Sequence, residues 1–245
     1  MLARPSRALA RIMSKLGIAS RATAARWIQT GRVAVDGTVI TDPEFNVREH
    51  AYITLDGDAL AAAAKLYYAL NKPRGLITTT HDEKDRATVY ECLPSALRGQ
   101  LAPAGRLDKA SEGLLLFSND TAWSAALLEP ARHLTKRYHV QIDCLPDSGL
   151  LAALQQGVIC GGERLTVAAV SELRRGGKNA WLEISLTAGK NRHIRRMLAA
   201  SGIEVLRLIR VAIGPLQLGT LPKGQCRALE ASELQQLALA LSSGK

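Results

Sequence analysis

The sequence predicts a two-part α+β chain: a small basic module of two helices and a hairpin, then a larger domain of alternating strands and helices. Three observations carry this. Leu9, Ile12, Met13 and Leu16 recur with the spacing of one helix face. Asp36-Gly37 stands between β-forming residues, a two-residue hairpin signal. Leu114-Leu115-Leu116-Phe117 is a continuous apolar run that reads as a buried strand. The 245 residues are 47% hydrophobic and 22% charged, ordinary for a globular chain and enough for one large domain with a small one.

In the front module Gly17 stops the first helix and Ser20 N-caps a second. Ala24, Ala25 and Ile28 supply its inner stripe and Gly31 ends it. The hairpin follows through Gly31-Arg32-Val33-Ala34-Val35-Asp36-Gly37. The outward charges are Arg7, Arg11, Lys15, Arg21, Arg26 and Arg32, with no acid before Asp36. A generic solvated face mixes signs; this one points to a polyanion, through phosphate and shape contacts. Arg, Ala and Ser enrichment also describes organellar transit peptides. The specific patterning from residue 7 onward favours a folded module over 7–56. The alanine-rich stretch 57–65 reads as a linker, and a second domain is expected over 66–240.

Net charge is +10, from 32 Lys and Arg against 22 Asp and Glu, which again favours a polyanionic partner. Aromatic residues are only 4%, so any base stacking must be local. Cys92, Cys144, Cys160 and Cys226 form no C-x-x-C pair, which argues against a zinc site and for a reduced, cytoplasmic setting. No run approaches a membrane span. P-loop, dinucleotide and zinc patterns are absent, so no metal or other cofactor is expected.

The second domain opens with a strand at Leu66–Leu70 and a turn at Asn71-Lys72-Pro73-Arg74-Gly75. Arg106-Leu107-Asp108 alone reads equally as a surface ion pair or a turn cap. Gly105 and Gly113, however, permit tight backbone paths on either side, placing Asp108 on a rigid loop beside the buried strand. Held there near cations, a carboxylate can serve as nucleophile or base. Asn119-Asp120 caps a helix through Trp123 and Leu127 to Pro130. Lys136–Val140 reads as a strand carrying Tyr138. Ile194, Met197 and Leu198 give a helix stripe ended by Gly202. Arg192, Arg195 and Arg196 crowd the start of that helix against its dipole, which calls for an anionic partner, a phosphate or a carboxylate. Leu206–Leu229 alternates, with turns at Gly214-Pro215 and Pro222, and Glu233–Leu241 reads as a terminal helix.

The string G-R-L-D-x-x-S-x-G-L-L-L at Gly105–Leu116 resembles the central motif of the RsuA-type family of ribosomal RNA pseudouridine synthases. The segments "NKPRG" at 71–75, Lys136-Arg137-Tyr138 and "GKNRHIRRM" at 189–197 resemble further motifs of that family, in the family's order. "LGIASR" at 16–21 and "GRVAVDG" at 31–37 resemble the alpha-L RNA-binding motif; Ala22 and Asp36 depart from its usual residues. The resemblance implies a catalytic domain with a largely antiparallel mixed sheet flanked by helices. It implies that Asp108 is catalytic, that Tyr138 stacks on the target uridine and that Arg195, ahead of Arg192, pairs with Asp108. Arg106 fills the space of the flipped base or grips the adjacent backbone. Lys72 and Pro73 serve first as architecture, with Lys72 also counted, like Arg192 and Arg196, among the RNA contacts. The implied partner is ribosomal RNA or a ribosomal subunit precursor, the large subunit ahead of the small, met by a monomer away from membranes.

Two other classes fit parts of the pattern. A non-catalytic RNA-binding or assembly protein would need only the front module and the charge. A glycoside hydrolase would need a second carboxylate facing Asp108; Glu112, the nearest acid, has no matching context.

Overall fold

The structure, a computed structural model, describes residues 7–48, 51–61, 63–79, 84 and 86–243. The chain divides into two compact units. One runs to Tyr67 and includes Pro94–Ala102 and Phe117–Ser124; the other holds Tyr68–Leu93, Pro103–Leu116 and Ala125–Lys245.

In the first unit β1 (Arg7–Ala8) leads into α1 (Leu9–Lys15), and α2 (Arg21–Gln29) packs against α1. Ser20 caps α2 as expected, its hydroxyl accepting the Thr23 N–H at 3.1 Å. Strands β2 (Val33–Val35), β3 (Thr38–Ile40), β4 (Asn46–Val47), β5 (Ile53–Leu55) and β6 (Asp58–Ala59) follow. β4 pairs with β1, and the other four form a sheet in the order β3-β2-β5-β6. The expected hairpin turn is present, with φ of 49° at Asp36 and 81° at Gly37. Leu9, Met13, Ala24, Ile28 and Val33 are fully buried and form the core; each such aliphatic side chain as large as valine contributes about 1.5–3 kcal/mol. Arg11, Lys15, Arg21, Arg26 and Arg32 are exposed, and the side chain of Arg7 lies outside the described residues.

A second hairpin was not anticipated. Asp56-Gly57 repeats the Asp36-Gly37 turn, with φ of 53° and 92°, and sends Asp58–Ala59 back along β5 within the segment read as linker. The alanine string after it conceals the short strand. Beyond it the Leu66 N–H donates to Asn119 Oδ1 at 2.9 Å, Asn119 Nδ2 donates to the Ala64 carbonyl at 2.8 Å, and Tyr67 meets the Trp123 ring edge-on.

The second unit is built on a nine-stranded mixed sheet. Its strands are β7 (Tyr67–Lys72), β8 (Ala102–Ala104), β9 (Glu112–Ser118), β10 (Lys136–Ile142), β13 (Ala169–Arg175), β14 (Ala180–Leu186), β15 (Val205–Ile213), β16 (Leu216–Gln217) and β17 (Cys226–Ala228). The order is β13-β14-β10-β15-β9-β7-β17, with β16 beside β15 and β8 beside β9. β9 runs parallel to β15, whereas β10 is antiparallel to both of its neighbours. β9 is buried at every position, as its apolar run predicts. Helices α3 (Thr121–Leu128), α4 (Ser148–Gln156), α5 (His193–Ala200) and α6 (Ala231–Ser243) and the hairpin β11 (Val158–Cys160) with β12 (Glu163–Leu165) complete the chain. Asp120 caps α3, accepting the Ala122 N–H at 3.0 Å.

The strand expected at 66–70 runs on through Asn71 and Lys72. The ladder to β17 holds them there: the Asn71 N–H donates to Gln225, and the Gly224 N–H to Asn71. Pro73, without an N–H, ends the strand.

Candidate active site

Asp108 lies on the loop between β8 and β9, and the segment after β7 braces that loop at several points. Lys72 Nζ donates to the Ser111 carbonyl at 2.8 Å and to the Pro73 carbonyl at 3.1 Å. The Gly75 N–H donates to Lys109 at 2.8 Å, and Thr78 Oγ1 donates to the Leu107 carbonyl at 2.8 Å. The Ser111 N–H closes a turn onto the Asp108 carbonyl at 3.0 Å. Each end of the loop needs a backbone open to glycine, with φ of 94° at Gly105 and 100° at Gly113. At Gly113 a Cβ would stand 2.3 Å from the Arg210 carbonyl oxygen. The loop therefore seats directly on β15.

Lys72 is fully buried. Burial pushes its ammonium down to about 8, with Asp108 pulling in the opposite direction. Its place under the Asp108 loop fits the architectural role that the sequence suggested.

A recess of about 400 Å³ opens beside Asp108. Tyr138 and Lys136 from β10 and Leu208 and Arg210 from β15 line it, along with Leu186, Leu128 and Ile194. A wider groove of about 810 Å³ shares Arg106, Asp108, Lys190 and Arg192 with it. The size is that of a small-ligand site. Tyr138 is 8% exposed and sits directly opposite Arg210 across β10 and β15. Asp108 is half-buried and makes no side-chain hydrogen bond or ion pair among the described residues, so its carboxylate is free for a ligand. Arg106 is exposed at the rim.

The three arginines of α5 go three ways. Arg192, at the N-cap, is exposed, lines the recess and is held at φ 47°, a left-handed conformation that L-residues rarely adopt. Arg195 lies partly buried, donating to the Ala110 and Val205 carbonyls at 3.2 Å each. Its guanidinium supports the end of the Asp108 loop through Ala110, and among the described residues no ion pair to Asp108 forms within 4 Å. Burial and then Arg192 lower its pKa, and Asp108 opposes them. Arg196 turns away to the β11–β12 hairpin, bonding Glu163 at 2.9 Å and the Cys160 carbonyl at 3.3 Å. Glu163 also holds Lys190 at 2.8 Å, fixing the segment that leads into α5. His193 is buried against the recess, where burial first and Lys190 second lower its pKa.

Glu112 faces away from this chemistry. It lies opposite Ile209 on β15, out of phase with Leu208 and Arg210, which line the recess. Burial alone would raise its pKa, but hydrogen bonds from Arg207 and Lys223 outweigh that and hold the carboxyl below its ordinary value. Asp108 is then the only carboxylate among the described residues lining the recess and its groove. That is one short of the pair a glycoside hydrolase uses.

Sequence reasoning passed over Arg210 and Thr78, and it quoted Lys136 without giving it a role. Arg210 had a signal: β15 alternates, and this cation falls in the buried phase with Leu208 and Ala212. Thr78 had none, because its partner lies 29 residues on.

Comparison with known proteins agrees with this geometry. The RNA pseudouridylate synthase family model matches residues 66–200, and the S4 domain model matches 9–51. An uncharacterised RNA pseudouridine synthase of Mycobacterium bovis is 34% identical over 94% of this chain and 92% of its own. The ribosomal large subunit pseudouridine synthase B of Bacillus subtilis is 30% identical over 97% and 98%. A crystal structure of a pseudouridylate synthase superposes with a TM-score of 0.66 at 28% identity, covering 95% of this chain and all of that one. The chain belongs to the RsuA-type family of RNA pseudouridine synthases, an S4 module at its front and the synthase fold behind it.

Proposed function

We propose that this enzyme converts one uridine of ribosomal RNA, in the large subunit, to pseudouridine, using Asp108 on a base flipped into the recess beside Tyr138. The observation that carries this is a carboxylate that is single and unpartnered among the described residues, on a loop braced from below, at a recess lined by an aromatic ring and cations. A uridine in folded RNA must leave its stack to reach such a recess. Arg106 and Arg192, exposed at the rim, take the flanking phosphates or the vacated space. Tyr138 stacks on the uracil. Asp108 answers the electron demand at C1′ either by bonding to it or by removing the C2′ proton, and Arg195 steadies its loop. The module's Arg7, Lys15, Arg21, Arg26 and Arg32 add positive charge along the RNA path, whereas Lys72, buried beneath the Asp108 loop, and Arg196, paired with Glu163, hold the domain together rather than RNA. Residues 7–56, with the strand Asp58–Ala59 that closes their sheet, act as the RNA-binding domain and 66–240 as the catalytic domain, joined through the rest of 57–65. The enzyme works as a cytoplasmic monomer.

The large-subunit reading draws on the names of the relatives in Bacillus subtilis and Yersinia pestis. Incubation with unmodified small- and large-subunit RNA, followed by carbodiimide-blocked primer extension, tests it. One new stop in the large-subunit RNA is expected; a stop confined to small-subunit RNA would reassign the substrate.

A further inference from the structure

Arg210 and Lys136 are two cations on the floor of the recess with no carboxylate within 4 Å among the described residues. Arg210 is 6% exposed. Its Nε donates to the Leu114 carbonyl at 2.7 Å, and its buried Nη2 has no partner among the described residues. Among the described residues Lys136 donates only to the Leu134 carbonyl, at 3.0 Å. Burial and the nearby Arg210 both weaken its hold on its proton. A buried arginine and a partly buried lysine that repel each other cost stability unless an anion meets them. The phosphates are poor candidates for that anion, since the exposed Arg106 and Arg192 intercept them at the rim. A flipped base is the group that would reach the floor: Arg210 is the residue directly across β10 and β15 from Tyr138, so a uracil stacked on Tyr138 would come against it.

Resting on the synthase reading above, we propose that Arg210, assisted by Lys136, is the electrophilic catalytic group that stabilises the departing uracil. When the C1′–N1 bond breaks, its electron pair passes to the uracil ring, whose negative charge spreads over N1, O2 and O4. Asp108 meets the electron-deficient sugar carbon. The ring turns, C5 gives its pair to C1′ as the Asp108 carboxylate leaves that carbon or hands back the C2′ proton, the C5 proton leaves to a base, and N1 takes up a proton. Until C5 bonds, the detached ring is an anion in a site shielded from water, where fixed positive charge acts most strongly. A resident carboxylate on Arg210 would cancel this effect, and none is there among the described residues.

The test compares leaving groups. Single-turnover rates are measured on RNA carrying uridine or 5-fluorouridine at the target as loss of that nucleoside, by chromatography of the nuclease-digested RNA; 5-fluorouridine has no C5 proton to release, so its reaction stops after the C5–C1′ bond forms. Fluorine makes uracil a better anion, so it needs less help. Arg210→Gln is expected to lose on the order of 100-fold on uridine RNA, the loss typical of removing one such donor. It should lose less than about tenfold on 5-fluorouridine RNA, with RNA affinity unchanged. Arg210→Lys should recover part of the uridine rate. Equal losses on the two RNAs, as a packing defect would give, overturn the proposal; so does an unchanged rate. If Arg210→Gln does not fold, Lys136→Gln carries the same comparison: a loss selective for uridine RNA supports the proposal, and equal losses or none overturn it. An inactive wild type would overturn the synthase reading and this inference together, whereas an active wild type with an indifferent Arg210→Gln overturns this inference alone.

Discussion

Replacing Gly113 by alanine attacks the seat of the Asp108 loop. Two costs add. At φ 100° an L-residue loses roughly 1–2 kcal/mol against glycine. The new Cβ also meets the Arg210 carbonyl oxygen at 2.3 Å and the Arg210 nitrogen at 2.8 Å. Both are backbone atoms of a strand paired on two sides, so β15 must move by roughly 1 Å to restore ordinary contact. Overpacking of that kind costs about 1–3 kcal/mol or more. The sum is about 2–5 kcal/mol, or about 4–20 °C in melting temperature for a chain of this size. Two controls isolate the terms. Gly177 has no positive φ and nothing within 4 Å, so Gly177→Ala should be neutral; Gly202 has φ 73° and open space, so Gly202→Ala reports the backbone term alone. Thermal melts followed by circular dichroism give the three shifts, and single-turnover assays give the rates. Gly113→Ala should fall furthest and also slow turnover, because β15 carries Arg210 into the recess. A melting shift no larger than that of Gly202→Ala would refute the close approach of the loop to β15.

Other expectations concern charge. Lys72, lowered by burial to about 8 from 10.5, loses its proton in the folded state first. Activity should therefore decline as pH rises through about 8, while between about 8 and 10.5 the unfolded chain binds more protons and this residue's contribution to stability rises with pH. Lys72→Met should turn over slowly at every pH without that alkaline limb; the same limb in the variant would sink the assignment. Glu112 is held below 4.5 by Arg207 and Lys223, so its stabilisation is full above 4.5 and disappears as pH falls through the folded-state value. Urea titrations should find wild type losing its advantage over Glu112→Gln in that acid window, and a constant difference down to complete protonation would contradict the pairing. Replacing Lys15, Arg21 and Arg26 by alanine should lower the slope of log affinity against log salt by about 2–3, at roughly one unit per phosphate contact, and leave the saturated rate unchanged. An unaltered slope would place the RNA elsewhere.

What the sequence disclosed depended on range. The Asp36-Gly37 turn, the Ser20 cap and the α5 stripe are local, set by residues within a few positions, and each was legible. The buried strand after Asp108 was legible because its apolar run has no solvent face. The brace beneath Asp108 was not, since Lys72 and Thr78 reach partners 39 and 29 residues away. The parting of the α5 arginines was hidden for the same reason: helix spacing gives their directions, but only tertiary packing sets Glu163 before Arg196 and carbonyls before Arg195. Glu112, a strand residue without evident context, acquires one only when β15 and the Lys223 turn arrive beside it.

Asp108→Asn, assayed beside wild type at saturating unmodified large-subunit RNA, tests the central claim most directly. Asparagine keeps the shape and removes the charge. Wild type should form one pseudouridine, and Asp108→Asn should form none while binding the RNA with the same affinity and melting at the same temperature. Pseudouridine formed by Asp108→Asn at a comparable rate would contradict the account and move the chemistry to another residue.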